Sequence, residues 1–252
     1  MKKLNLRTPK KFNYADETDS IPVRMCFYCV SEGATEESYF RGIRNNKAKL
    51  QIKNDVRIEV IEKEKGQETL SHPLQLIHAC LVQMGYIDQD GHAIPENKRN
   101  ELCKWDNYDA EIDRVCVIFD RDYRNLDETI DEIFALCEQY PIEIVISNPN
   151  FELWLLMHFP EIQQYSAKML LENKKNLRHQ LFTDVSKDKK YLEILVSRHA
   201  EGYAKGNKIK FEKFLPLIPT AIEQAKLYCE DTKRLVHELG TSVGRLLEEI
   251  KS

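Results

Sequence analysis

Two apolar runs in this chain stop abruptly at carboxylates. Met25-Cys26-Phe27-Tyr28-Cys29-Val30 runs into Ser31-Glu32-Gly33-Ala34-Thr35-Glu36, and Val115-Cys116-Val117-Ile118-Phe119 runs into Asp120-Arg121-Asp122. Short apolar runs without alternation predict strands buried on both faces, which points to a covered, largely parallel sheet. In an open α/β sheet, ligands collect outside the carboxyl ends of the strands. If the two strands are neighbours, Glu32, Glu36, Asp120 and Asp122 converge on one spot. Carboxylates gathered so closely repel, and the usual remedies are a shared proton or a hard divalent cation. Mg²⁺ or Mn²⁺ is therefore the expected cofactor, with those four acids as its ligands.

The remaining periodicities fill in the fold. Strand 1 is predicted over 24–31 and a helix opens at Thr35. Asp55-Val56-Arg57-Ile58-Glu59-Val60-Ile61-Glu62 alternates with period two, as a half-buried strand does. A helix over 68–84 carries Leu70, Leu74, Ile77, Leu81 and Met84 on one side, with Pro73 in its first turn. Residues 85–113 read as a long polar loop with room for one short helix. Strand 3 follows at 114–119, a helix at 126–139, strand 4 at 142–146, and a helix from Phe151 after the Asn148-Pro149-Asn150 turn. This β-α-β-α-β-α-β-α order predicts a mostly parallel four-stranded sheet flanked by helices. Beyond 160 only helices are expected, at 166–180, 187–199, 208–215, 218–239 and 241–251. Three regions follow: a flexible arm at 1–22, an α/β domain at 23–160 and a helical region at 161–252 packed on it.

Composition narrows the function classes. The 252 residues include no apolar run near the ~18 residues of a membrane helix. The basic N-terminus has no apolar signal core behind it, so a cytoplasmic protein is expected. Seven scattered cysteines fit a reduced compartment. Cys26-x-x-Cys29 lies inside a strand, where three-residue spacing sends the thiols to opposite faces; core thiols are expected there, not a zinc site. The net charge of −4 is unevenly spread: residues 163–213 hold twelve Lys/Arg against six Asp/Glu. That excess is either a solvated helical surface or a phosphate-contacting patch opposite the acidic site.

Asp120 and Asp122, at i and i+2 of a strand end, point the same way and can reach one cation or two adjacent ones. The plainer reading is a polar strand exit in which Asp122 or Asn125 caps the next helix. Glu32 sits beside Gly33, whose missing side chain permits close backbone approach, and is the best general acid/base or ligand candidate. Glu36 lies just beyond Thr35, a candidate N-cap, where an anion favours the helix end regardless of catalysis. After strand 4, Asn148 and Glu152 stand at the same sheet edge as the acids. Trp154, Leu155 and Phe159 read as core, and His158 as a satisfied structural histidine. In His199-Ala200-Glu201-Gly202-Tyr203-Ala204-Lys205-Gly206, the glycines, Tyr203 and Lys205 suit a loop meeting phosphates, with Arg198 nearby; the spacing is not that of an ATP-binding loop.

A Glu ending the first strand with an Asp-x-Asp ending the third is similar to the Toprim fold of topoisomerases, primases and several nucleases. More specifically, Ser31-Glu32-Gly33-Ala34-Thr35-Glu36-Glu37-Ser38-Tyr39-Phe40, Phe119-Asp120-Arg121-Asp122 and Ser147-Asn148-Pro149-Asn150-Phe151-Glu152-Leu153-Trp154 together resemble the RloB/AbiLii family. The resemblance runs to Leu239-Gly240-Thr241-Ser242-Val243, and its Asn-Pro-x-Phe-Glu-x-Trp block is the most specific part. Ser31 departs from the usual Cys-Glu-Gly opening. The family also tends to have a Tyr-x-Lys near Tyr203 and Lys205. The resemblance implies a Toprim-like α/β fold and an abortive-infection effector in phage defence, with an AAA- or ABC-type ATPase encoded nearby as partner.

Together these features lead to a Mg²⁺-dependent nuclease cleaving phosphodiester bonds of DNA or RNA. Glu32, Asp120 and Asp122 would be catalytic and, with Glu36, hold the metal, while Asn148, Glu152, Arg198, Tyr203 and Lys205 would meet the substrate. The alternative is a non-catalytic Toprim-like module that binds and regulates the ATPase. A third class, an aspartyl-phosphate phosphatase with Asp120 as nucleophile, fits poorly because Tyr123-Arg124 follow the Asp-x-Asp. Homo-oligomerisation is left open.

Overall fold

The computed structural model describes residues 3–9, 23–67, 70, 72–105, 107–122, 126–175, 189–201, 203–206 and 209–252. Its elements are β1 (Met25–Ser31), α1 (Ala34–Asn45), β2 (Val56–Ile61), α2 (Pro73–Gln83), α3 (Glu96–Leu102), β3 (Arg114–Asp120), α4 (Ile130–Gln139) and β4 (Ile142–Asn148). There follow α5 (Phe151–Leu156), α6 (Ala167–Glu172), α7 (Tyr191–His199), α8 (Ile218–Ala225), β5 (Gly240–Thr241) and α9 (Val243–Lys251).

The sheet order is β2-β1-β3-β4-β5. β1 runs parallel to both β2 and β3, so the two strands that end in acids are indeed neighbours. The burial of each strand follows its place. Central β1 and β3 are buried along nearly their whole length, whereas edge strand β2 alternates between buried and half-buried positions. A run covered on both faces must be apolar throughout, while a half-covered edge needs apolar residues only at every second position.

Among the described residues the sheet has five strands, not the expected four. Gly240 and Thr241 pair antiparallel with Asn148 and Ser147, where a helix start was expected. The helix expected over 218–239 ends at Ala225, and the chain then doubles back: Cys229 N–H donates to Leu239 O (3.1 Å) and Thr241 N–H to Cys229 O (3.0 Å). Local apolar spacing could not register this return, because its bonds join residues ten to twelve apart. The expected helix over 208–215 is two 3₁₀ turns, Phe211–Lys213 and Leu215–Leu217. α3 is the short helix expected within the long loop, and Pro73 opens α2 behind His72, whose Nδ1 accepts from Leu74 N–H at 3.2 Å.

The chain divides into two compact units that do not follow chain order, although the sequence pattern changes near 160. The first comprises 1–33, 43–118 and 123–144. In its core Tyr28 stacks on Trp105 with ring centroids 4.8 Å apart, and Tyr108 meets both edge-on. Residues 3–9 belong to this core and are not a free arm: Leu4 and Leu6 are buried, Leu6 forms an antiparallel bridge with Lys63, and Arg7 N–H donates to Glu62 O (2.8 Å). Residues 10–22 of the expected arm lie outside the described residues. All seven cysteines are free; Cys26 and Cys29 are buried core thiols, and burial pushes Cys29 up to about 12.

The second unit comprises 34–42, 119–122 and 145–252. Tyr39 stands at its centre, ringed by Phe40, Phe151, Trp154, His158 and Phe211 with centroids 5.2–6.2 Å away. Two glycines are required by space alone. A Cβ on Gly42 would lie 2.2 Å from the Phe211 ring, and one on Gly240 would lie 1.9 Å from Cys229 O. The second obstacle is the backbone of Cys229, which makes both hydrogen bonds of the 229–241 return. Gly240→Ala is therefore expected to lower stability by about 2 kcal/mol or more; an unchanged urea midpoint would contradict this account of β5.

Candidate functional site

Asp120 ends β3, and its Oδ1 accepts the Phe151 N–H at 2.8 Å. The first N–H groups of a helix lack partners within it. The Asn150 side chain at the N-cap of α5 makes no capping bond, so a carboxylate from the adjoining strand end takes that place. Arg121 N–H to Ser147 O and Asp122 N–H to Pro149 O, both 2.9 Å, hold the end of β3 alongside the Asn148-Pro149 turn, whose peptide bond is cis.

Glu152 follows in the first turn of α5 and is only 1% exposed. Its Oε1 accepts from Tyr203 O–H at 3.1 Å and pairs with Lys205 Nζ at 3.0 Å, while its Oε2 is buried without a hydrogen-bond partner among the described residues. Burial and the Glu152 charge both push the Tyr203 phenol far up, so it stays a donor. Burial pulls the Lys205 ammonium down, but the charges of Glu152, Asp120 and Glu36 outweigh it and hold the lysine charged. Glu36 is itself buried in α1. Thr35 is not the N-cap, a place Gly33 takes; its Oγ1 accepts the Gly206 N–H at 2.8 Å instead and anchors the loop that carries Lys205.

The second unit thus gathers Glu36, Asp120, Glu152, Tyr203 and Lys205. The other expected site residues are placed differently. Asp122 is exposed and ion-paired with Lys190, a partner that no sequence signal marks. Glu32 belongs to the first unit, where its N–H donates to Ile118 O (2.9 Å) and its carbonyl accepts from Lys63 Nζ (2.6 Å). Asn148 is buried and donates through Nδ2 to Leu235 O at 2.7 Å, a bond that serves the fold. Arg198 is exposed on α7, where its charge acts on Tyr165 and Tyr191. Much of the basic stretch, residues 176–188, lies outside the described residues.

A divalent cation of the Mg²⁺ kind takes hard oxygen donors. The gathered carboxylates supply them, and the partnerless Glu152 Oε2 and Asn150 Oδ1 are buried acceptors of the right chemistry. Their present arrangement is not a finished cage: among the described residues no three His, Cys, Asp or Glu side chains are grouped to hold a metal ion. A lysine lies on one of them instead, Lys205 on Glu152, and outside the group Lys190 pairs with Asp122.

His158 belongs to the core and not to this group. It is fully buried, its Nδ1 lies 3.1 and 3.2 Å from the carbonyls of Trp154 and Leu155, and its Nε2 lies 3.1 Å from Tyr39 O. Carbonyls only accept, so Nδ1 carries the proton and Nε2 accepts from the tyrosine. Burial pulls its pKa down to about 3, against the opposing effect of the two carbonyls. Below the ordinary value of about 6.5, the unfolded chain takes up a proton that the folded chain refuses, and stability falls with pH. From pH 6.5 to 5 this group alone is expected to remove about 2 kcal/mol. Denaturation midpoints of His158→Gln should fall less steeply over that range than those of the wild type; parallel slopes would refute the assignment.

No curated protein and no solved structure matches this chain. The family model described as RloB-like protein matches residues 27–250. That span includes both acidic strand ends, the Asn148 turn and the loop bearing Tyr203 and Lys205, and the chain belongs to the RloB-like protein family.

Proposed function

We propose that this chain is a divalent-cation-dependent nuclease that cleaves nucleic-acid phosphodiester bonds, centred on Asp120, Glu152, Glu36 and Lys205. The observation that carries the reading is the buried Glu152 carboxylate, with Lys205 3.0 Å from one oxygen and, among the described residues, no hydrogen-bond partner at the other. Acids and a charged lysine at a strand end suit a scissile phosphate, which needs a proton acceptor for the attacking water and positive charge at its oxygens. Asp120, oriented by the Phe151 N–H, is the proton acceptor. Lys205 keeps 50% of its side chain exposed and can meet a non-bridging phosphate oxygen. Tyr203 fixes Glu152, and the lysines and arginines of 163–213 hold the nucleic-acid backbone. Mg²⁺ or Mn²⁺ would draw on Glu36, Asp120 and Glu152, which are not grouped as a metal cage as they stand, and when bound would supply Lewis acidity and charge neutralisation at the phosphate. Glu32 and Asp122 are less central than their spacing suggested, because the first belongs to the other unit and the second is paired with Lys190.

A role in antiphage defence, together with a partner ATPase, rests on the family resemblance. A second reading makes the chain a non-catalytic module that regulates that ATPase. It is favoured by the lysines already lying on Glu152 and Asp122, which make these acids self-compensated.

Asp120→Asn separates the two readings. The amide keeps an oxygen for the Phe151 N–H while removing the charge, so the fold is preserved. With DNA, tRNA or total RNA and Mg²⁺ or Mn²⁺, with and without the ATPase, the variant should cleave roughly 100-fold more slowly or worse. Cleavage at the wild-type rate would overturn the nuclease reading, and absence of cleavage by the wild type together with a stable ATPase complex would favour the regulatory one.

A further inference from the structure

Residues 85–113, a long polar loop by their sequence, fold around a cleft in the first unit. Its volume of about 750 Å³ falls within the roughly 300–1,000 Å³ of small-molecule sites. Ordered loops of this length inside a compact domain are usually functional. The walls are fixed from several sides. Ile94 N–H donates to Tyr86 O (2.9 Å), Cys103 N–H to Arg99 O (2.8 Å) and Lys104 N–H to Gln83 O (2.8 Å), while the Trp105 ring stacks on Tyr28. These walls carry donors that lack acceptors. The Trp105 indole is 2% exposed, and its Nε1–H has no hydrogen-bond partner among the described residues. The Arg99 guanidinium lies over the Tyr86 ring, 4.7 Å from its centroid, and its buried Nε is equally without a partner there. Among the described residues no ion pair or hydrogen bond holds that guanidinium. Burial, with Tyr86 beside it, pushes the Tyr108 phenol up, so Tyr108 stays a donor. Glu96, Asp109 and Glu111, all exposed, line the same cleft.

We propose that this cleft receives an unpaired guanine base, whose acceptor edge meets Arg99 and whose amino edge meets the exposed carboxylates. Donors without acceptors require a ligand that brings acceptors. A guanidinium stacked on a tyrosine presents a plane and a fork of N–H groups, and nucleobases are held by stacking on such planes. A bare phosphate would suit the arginine but not its surroundings, where three carboxylates stand against one guanidinium. Guanine meets both demands. Its O6 and N7 accept from an arginine fork, and its N1–H and N2–H₂ groups donate to carboxylates. Adenine would set its N6–H₂ donor against Arg99. The base must be unpaired, because cytosine occupies the same amino edge in a duplex. None of the cleft residues belongs to the Glu152 group, which lies in the other unit, so the inference does not rest on the nuclease reading.

Calorimetric titration of the full chain with guanosine, adenosine and inosine tests this, alongside single-stranded oligonucleotides holding one guanine or one adenine. Guanosine should bind roughly tenfold or more tightly than adenosine, the worth of one bidentate pair. Inosine, which lacks the N2 amino group, should bind several-fold less tightly than guanosine. Arg99→Met keeps the side-chain length and removes every donor, and should weaken guanosine binding by roughly tenfold or more. In the wild type, guanosine should slow alkylation of Cys103, which lines the cleft, several-fold and leave Cys229 unchanged. That protection is read without any substitution, so it holds even if Arg99→Met folds poorly. Tighter binding of the guanine oligonucleotide than of guanosine supports the assignment with a strand as the source of the base; the reverse supports it with a free nucleoside. Binding of no probe, or equal binding of guanosine and adenosine, overturns it. Guanosine binding that leaves Cys103 unprotected or is unchanged in Arg99→Met overturns it too. The readout is binding and not cleavage, so these failures leave the nuclease reading as it stands.

Discussion

A carboxylate buried to 1% exposure in the first turn of a short helix sets the terms for the second unit. Glu152 cannot remain charged there without a partner, because desolvation of a lone carboxylate exceeds what a domain of this size can absorb. The chain answers from a distance of some fifty residues, bringing Tyr203 and Lys205 to one oxygen. The other oxygen has no hydrogen-bond partner among the described residues. A structure selected only for stability would fill that place with an apolar side chain. The acid, the lysine and the orphan oxygen together are the feature on which the proposed function rests.

The helix that carries Glu152 depends on a second acid. Asp120 closes the N-terminus of α5 from the end of β3, so one carboxylate caps the helix and its charge also acts on Lys205. Strand and helix are thereby coupled at the edge where parallel sheets hold their ligands. Asn148 and His158 are drawn into the same framework in structural roles, the first bonded to Leu235 O and the second sealed beneath Tyr39. Within the Asn-Pro-x-Phe-Glu-x-Trp block, Glu152 meets Tyr203 and Lys205, while Asn148, Phe151 and Trp154 build the support.

Much of this was legible in the residues. The apolar runs at 25–30 and 115–119, and the alternation at 55–62, announce the two central strands and the edge strand, because burial on two faces or one leaves different periodicities. The acids at the strand ends, Pro73 at the start of α2 and the structural role of His158 follow from equally local rules. The limits are local too. Period and capping rules see about one turn of helix or a few residues of strand. The return of 229–241 onto β4, the burial of Leu4 and Leu6 against the first unit and the Lys190–Asp122 pair all join residues far apart in the chain, so no window could contain them.

The ranking of the acids shows where the division falls. The sequence by itself determined that carboxylates would end β1 and β3, that those strands would be short and buried, and that Tyr203 and Lys205 would share a small glycine-flanked loop. Only the tertiary structure decided which of these charges meet. It placed Glu36, Asp120 and Glu152 around Lys205, turned Asp122 outward to Lys190, and left Glu32 in the first unit. The physical reason is that charge interactions depend on distance and burial, which sequence spacing specifies within a single element but not between elements brought together by folding.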